Sequence, residues 1–486
     1  MSYIPTIGLE IHAELKTASK MFCSCKNNPD EESPNVNVCP ICMGHPGTLP
    51  VLNMTAIEHV LKIGIAIDAK LADFTEWDRK HYFYPDIPKG YQLSQYAYPL
   101  VRDGQLAGVD VERIHLEEDT ASSTHDQHDN SLINFNRSGV PLLELVTKPV
   151  IHDAKTAVTF AKELQLLLRY LKAGDANMEK GEMRVEANIS VASEEDTKNN
   201  KLGTKTEVKN LNSFRSVEKA IAFEVERQIS ILHKGDKVIQ ETRGWDDVNN
   251  ETYSQRVKES SHDYRYFPDP DIPKLKLSEI PSLSPSLLAH GMPELPSVKR
   301  HRYMEDFGMT EKEVAVFVDM PLISKYFESA ISAYKDDKKK VKLTVNYILS
   351  DYLGLIKKDK KDIEDNITTI DPKSIAELIA LIDSNLVSSR GAKEILMIMY
   401  GDAKSGSPKD IAEKHSLIQK SSADDILPAI EKIITDNPSV VAEYKSGKIA
   451  SLQFLIGQAM KATKGSANPA VVKELLISKL GQYPVK

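Results

Sequence analysis

The spacing of apolar residues changes once along this 486-residue chain, and the change limits what each part can fold into. Up to about residue 290 the chain is dense in Gly, Asn, aromatic residues and alternating apolar and polar positions, which predicts mixed strands and helices. A proline-rich stretch from Pro268 to Pro296 then interrupts regular structure and reads as a connector. Beyond it, Lys, Asp, Glu and Ile recur at helical spacing and strands are hard to find. Gly406-Ser407-Pro408 marks a second expected boundary, so the predicted organisation is 1–290, a helical 291–406 and a helical tail 407–486. Within the first region, Thr55 to Glu58 has the form of a capping box opening a helix with Ile57, Val60, Leu61 and Ile65 on one side. Leu164, Leu167, Leu168 and Leu171 make a second helical stripe, and Val217, Ile221, Val225 and Ile229 a third. In the tail, Leu452, Leu455, Ile456, Ala459 and Met460 share one face.

All four cysteines fall within twenty positions, as Cys23, Cys25, Cys39 and Cys42. Two short pairs joined by a loop suit a tetrahedral tetrathiolate ion, and zinc is the expectation over disulfides or free thiols, since nothing at the N-terminus reads as a signal peptide. Such a site has no open coordination position and is structural. No apolar run approaches the ~20 residues of a membrane span, so no membrane role and a cytoplasmic location are expected. Net charge is −8, which argues against a uniformly basic nucleic-acid binder. The charge is unevenly spread, however: residues 407–486 hold eleven Lys against eight acidic residues, with Lys445, Lys448, Lys461 and Lys464 at the ends of one predicted helix.

The residues suited to chemistry lie in the first region. Ile7 to Leu15 alternates so that a strand would bury Ile7, Leu9, Ile11 and Leu15 and present Glu10, His12 and Glu14 on the opposite face. That face would hold a divalent cation or simply be solvated. Glu117, Glu118 and Asp119 stand in a row, and their mutual repulsion calls for a nearby cation. Glu144 sits inside an apolar run, where an unpaired carboxylate is costly, so it needs a metal or a basic partner. Asp78 to Asp86 gathers Arg79, Lys80, His81 and three aromatic rings, and Asn136-Arg137-Ser138-Gly139 is a polar turn. Both are suited to phosphate, and equally to structured loops with core tyrosines. Neither G-x-x-x-x-G-K-[ST] nor G-x-G-x-x-G occurs, so any ATP site is of an uncommon type.

The runs GLEIHAEL from Gly8, RKHYFYPDIPKGYQLSQ from Arg79, HLEEDTA from His115, NRSGVPLLE from Asn136, GTKTEVKNLNSF from Gly203, QETRGWDD from Gln240, HDYRYFPDPDIP from His262 and FLIGQAMKATKGSANP from Phe454 occur in order over nearly the whole length. They resemble the B-subunit family of the tRNA-dependent aspartyl/glutamyl amidotransferases. The resemblance implies an α+β cradle domain with a mainly antiparallel sheet, then a helical domain, then a tail that contacts tRNA through residues such as Lys448, Lys461 and Lys464. It implies a kinase-like centre using ATP and Mg²⁺, with Glu10, His12, Glu118, Glu144 and Glu207 as Mg²⁺ ligands. Lys80 and Arg137 would contact phosphate, with Asn136 beside them at the cofactor, and the catalytic set would be His12, Glu118, Glu144, Lys80 and Arg137. Val185, Glu186 and His81 stand where the family more often has Cys, Asp and Asn. The implied reaction is phosphorylation of the side-chain carboxylate of Glu-tRNA(Gln) or Asp-tRNA(Asn), then displacement of phosphate by ammonia. No amidase-like Gly-Gly-Ser-Ser run is present, so ammonia would come from an amidase-type A subunit, with a small C subunit as third partner. Arg184, Glu186 and Asn188, with Glu207 and Lys209, either line its path or form ordinary strand faces. The alternative is a non-catalytic, zinc-stabilised tRNA-binding subunit.

Overall fold

The structure is a computed structural model that describes residues 2–125, 130–257, 264–402, 406–419, 422–463 and 467–481. It divides into two compact units, Met1–Leu295 and Pro296–Lys486. His262 and Asp263, which open one of the motifs, and Lys464 lie outside the described residues.

The first unit is organised around strand Tyr3–Glu14. It runs antiparallel to Met183–Ser193 on one side and to Pro141–Thr147 on the other, at the centre of a ten-stranded sheet. Outward on the first side lie Thr206–Leu211, Glu241–Asp246 and Glu251–Val257; on the second lie Val109–Glu118, Val101–Arg102 and Lys70–Leu71. Within that order only the pairing of Thr206–Leu211 with Glu241–Asp246 is parallel, so the sheet is mainly antiparallel as expected. The alternation holds along the central strand: Ile7, Leu9, Ile11 and Ala13 are fully buried on one face. Helix Ala154–Tyr170 packs against this strand, helix Phe214–His233 against Met183–Ser193, and helix Met54–Ala66 against Val109–Glu118. With one face so covered, Glu10, His12 and Glu14 must point to the other.

Two local expectations shift. Helix Met54–Ala66 is capped by Asn53, whose side chain accepts the N–H groups of Thr55 and Ala56, while Glu58 pairs with Lys62 and makes no capping box. Asn53 does more than Thr55 could, because its amide also donates to the carbonyls of Ser19 and Lys20. In helix Phe214–His233 the buried stripe comprises Val217, Ala220 and Ile221 and then continues through Glu224 and Gln228, with Val225 and Ile229 only half-buried. Glu224 tolerates this position because Arg227, Gln228 and Thr252 all donate to it.

The regular elements of the second unit are helices among its described residues, and Val387 and Ile418 form an isolated bridge. Gly406-Ser407-Pro408 proves to be a helix start. Ser407 and Asp410 form a capping box for Pro408–Lys414, which packs on Pro372–Asp383 and Ser389–Gly401. The tail has its own core, formed by Ile426, Ile430, Tyr444, Leu455, Val472 and Leu476.

Candidate active centre

The sheet register brings the acidic positions together. His12 lies opposite Glu144, and Glu144 lies opposite His115. Glu10 lies opposite Glu186, and Asn188 opposite Glu207. Residues facing each other across strands are about 5 Å apart, so polar side chains at these positions must meet. His12 Nε2 is 3.5 Å from Glu144 Oε2, 3.6 Å from Glu117 Oε1 and 3.9 Å from Glu10 Oε1. His115 Nε2 is 3.3 Å from Glu144 Oε2, and Arg113 reaches its other oxygen at 3.5 Å. The costly carboxylate in the apolar run is therefore paired with two imidazoles and a guanidinium.

Three overlapping groups on this face bring candidate ligand atoms within 4.8 Å of one another: Glu10, His12 and Glu144; His115, Glu117 and Glu144; and Glu10, Glu186 and Glu207. Glu117 Oε2 and His115 Nδ1 are buried with no hydrogen-bond partner, an expensive state that a bound cation would relieve. Carboxylate oxygens dominate the donor set, which fits a hard divalent cation. Burial disfavours charge on His12, but the hydrogen bond to Glu144 and the charges of Glu144, Glu117 and Glu10 outweigh it and raise its pKa to about 9. Burial, followed by the charges of Glu144 and Glu186, raises Glu10 to about 7. A proton on His12 thus offsets the acids in the arrangement described, and a cation would compete for the same nitrogen.

Lys80, on strand Asp78–His81, lies near enough to this centre for the charges of Glu117 and Glu144 to act on it. Its ammonium stands 5.0 Å from the ring of Tyr264 and 5.9 Å from that of Tyr82. Burial opposes its charge, but Glu117, Tyr266 and Glu144 hold its pKa above the ordinary lysine value. A cation walled by aromatic rings and aimed at an acidic centre is suited to a phosphoryl group. Tyr96 stacks on Tyr266 with ring centroids 4.4 Å apart, extending this wall.

Glu118 stands outside the group. Its neighbours Ile114 and Leu116 are fully buried, whereas His115 and Glu117 take the opposite parity and join Glu144. Glu118 instead pairs with Lys89 and accepts the N–H of Leu93 at 2.9 Å. Strand parity is the signal that singles out His115 and Glu117, and a bare row of acids hides it. Arg137 is engaged with Asp119 at 2.7 Å and Glu14 at 3.0 Å, and Arg184 also reaches Asp119, at 3.2 Å. Asn136 is fully buried and its amide is occupied by backbone: it donates to Ser33 O at 2.8 Å and accepts Asn37 N–H at 2.9 Å. Glu207 accepts from Thr242, and Lys209 bonds Glu186 at 2.8 Å.

The four cysteines converge, with candidate sulfur ligands within 4.8 Å of one another, and can hold a metal ion. The N–H of Cys39 donates to Cys42 Sγ at 3.1 Å. The Cys42 thiol is drawn down to about 5, first by the hydrogen bond from Cys23 and then, against burial, by Cys39 and the charge of Lys20. Cys23 is pushed up by the same sharing with Cys42, and burial lifts Cys25 to about 11. Thiol ligands bind a metal deprotonated, and the lowered Cys42 thiol is the first of the set prepared for it. In the tail, Lys448 is exposed and pairs with Glu443 at 2.9 Å, and Lys461 is exposed near the end of helix Ile449–Ala462.

Comparison with known proteins gives this geometry a family. The profile described as the GatB/GatE catalytic domain matches residues 5–281, and that described as the GatB domain matches residues 325–480. A protein of Thermodesulfovibrio yellowstonii, named as the B subunit of aspartyl/glutamyl-tRNA(Asn/Gln) amidotransferase, is 41% identical over 98% of this chain and 99% of its own. Proteins of the same name from Thermoanaerobacter pseudethanolicus and Crocosphaera subtropica are 39% and 41% identical, over 99% and 97% of this chain and 100% and 97% of theirs. Full-length relationship at this identity, with the catalytic profile spanning every residue of the acid and histidine centre, establishes that the chain belongs to the GatB/GatE family.

Proposed function

We propose that this chain is the B subunit of a tRNA-dependent amidotransferase acting on Glu-tRNA(Gln), Asp-tRNA(Asn) or both. The observation that carries this reading is the meeting of His12, Glu117 and Glu144 near the Lys80 ammonium, in a chain 41% identical over its length to a relative of that name. A side-chain carboxylate is a poor electrophile, so the γ-phosphoryl group of ATP is first transferred to one of its oxygens, releasing ADP. Ammonia then adds to the acyl carbon, phosphate leaves, and a proton is lost to give the amide. Lys80 offsets charge on the moving phosphoryl group, and the wall of Tyr82, Tyr264 and Tyr266 limits water around it. Glu144 with either Glu10 and His12 or His115 and Glu117 would hold one Mg²⁺ ion, and Glu10, Glu186 and Glu207 a second. Bound there, Mg²⁺ supplies charge neutralisation for phosphoryl transfer. Arg137, fixed by Asp119 and Glu14, acts as an anchor of the centre's edge, and the cysteine cluster holds a structural zinc ion.

The ammonia source is an amidase-type A subunit, with a small C subunit completing the assembly in the cytoplasm; no helix among the described residues is long and apolar enough to cross a membrane. The separately cored tail, with Lys448 and Lys461 exposed, contacts the tRNA backbone. The test is reconstitution with the amidase partner and each mischarged tRNA, comparing glutamine with free ammonia. Amidation with either nitrogen source and ATP supports the reading. Binding of tRNA without phosphate release from ATP when ammonia is supplied would replace it with the non-catalytic alternative.

A further inference from the structure

Lys20 is fully buried, and an ammonium group in that position needs an anion. Its side-chain hydrogen bond goes to a neutral group, the carbonyl of Phe135 at 3.2 Å, and among the described residues no carboxylate lies within ion-pair reach of it. The groups around it belong instead to the cysteine cluster. The Lys20 N–H donates to the carbonyl of Cys25 at 3.0 Å. At Gly139, which has a φ of +88°, a Cβ would meet Lys20 Cδ at 3.5 Å and Cys42 Cβ at 3.6 Å, so the lysine stem and the Cys42 side chain flank the same backbone point. Four thiolates around a divalent ion carry a net charge of about −2, which is the anion this position otherwise lacks.

We infer that Lys20 is the internal counter-ion of the tetrathiolate metal centre and ties the loaded centre to the turn bearing Arg137. The tie is continuous in hydrogen bonds. Lys20 Nζ holds Phe135 O, Met21 N–H holds Gly139 O at 2.8 Å, and Asn136 clasps the insert backbone at Ser33 and Asn37. Arg137 sits between those anchors and reaches Asp119. An ion lost from the cysteines would leave the ammonium without its anion and release one side of this turn. The inference rests on the metal-binding reading of the four cysteines.

The test is made on the full-length chain, measuring metal content and the transfer of zinc to a chromogenic chelator for the wild type, Lys20→Met and Lys20→Arg. Partners that tune ligands from outside a metal's own shell typically change affinity about 10- to 100-fold, so Lys20→Met is expected to release zinc at roughly 10- to 100-fold lower chelator concentration. Lys20→Arg is expected to stay close to the wild type. Thermal unfolding supplies a second readout: Lys20→Met should lower the melting temperature of the zinc-loaded chain, and should raise it or leave it unchanged in a Cys39→Ser background, where the anion is gone. If Lys20→Met does not fold, Lys20→Gln, which keeps a donor for Phe135 O, is measured in its place. Unchanged zinc retention in a folded charge-free variant overturns the counter-ion role. A wild-type chain that binds no thiophilic metal overturns the cysteine-site reading itself, a different result from zinc bound equally by all variants.

Discussion

At the scale of single residues, the centre turns on which of two adjacent glutamates faces it. Glu117 shares the face of His12 and Glu144, whereas Glu118 is buried against Lys89. Glu117→Gln is therefore expected to weaken divalent-cation binding and to lower ATP-dependent amidation by about 10²-fold or more, while leaving folding intact. Glu118→Gln should behave differently, because it strands the buried Lys89 ammonium. A loss of about 3–5 kcal/mol in denaturant-measured stability is expected, with cation affinity per folded molecule retained. Equal effects of the two substitutions on cation titration would contradict the assignment. The segments bearing Lys80 and His12 stood out in sequence but left a solvated face or a structured loop open, and it is the register and the aromatic wall that bring His12 to Glu144 and Lys80 beside Tyr264. For Asn136 the sequence leaves two roles open, and the structure shows its amide engaged by the backbone of Ser33 and Asn37. A buried amide that satisfies backbone groups and one that contacts a ligand are the same residue in sequence, and only the chain folded against it tells them apart.

At the scale of elements, helix starts and buried charge decide local stability. Asn53 caps helix Met54–Ala66 and also bonds the chain entering the cysteine insert. Asn53→Ala should cost about 1 kcal/mol or more in chemical denaturation, and Thr55→Ala close to nothing, the reverse of what the Thr55 to Glu58 pattern implies. Glu224 pairs with Arg227 on its own helix Phe214–His233 and joins that helix to the far strands through Arg243 and Thr252. Glu224→Gln leaves two guanidinium groups around a neutral amide, and an expected loss of about 3–5 kcal/mol would appear as a lowered urea midpoint with an unchanged slope. The apolar stripes of these helices were readable from spacing. The charged residues that extend one of them were not, because Glu224 is buried against Arg243 and Thr252 of distant strands as well as Arg227 and Gln228 of its own helix, and helical periodicity carries no information about the strands.

At the scale of the whole molecule, the two units carry different features. The first holds the acid and histidine centre, and the tail of the second has a core of its own with lysines on its surface. Lys448→Ala and Lys461→Ala should each lower the magnitude of the slope of log affinity for tRNA against log salt by about 1, without changing ATP hydrolysis that does not depend on tRNA. An unchanged slope would remove those lysines from the interface. Sequence by itself determined the order of a strand-bearing part and a helical part, the apolar face of the central strand, the cysteine cluster and the family. Each depends on periodicity or on residues adjacent in the chain. The tertiary structure alone decided that Glu117 and His115 stand with His12 and Glu144, that Glu118 pairs instead with Lys89, that Asn136 is engaged by the backbone of Ser33 and Asn37, and that Arg137 is held by Asp119 and Glu14. Those outcomes rest on cross-strand register and on burial by distant segments, which bring together groups as far apart in sequence as Glu10 and Glu207. Local preference specifies a strand, but the neighbours that fix what its polar face can do are chosen only when the sheet closes around it.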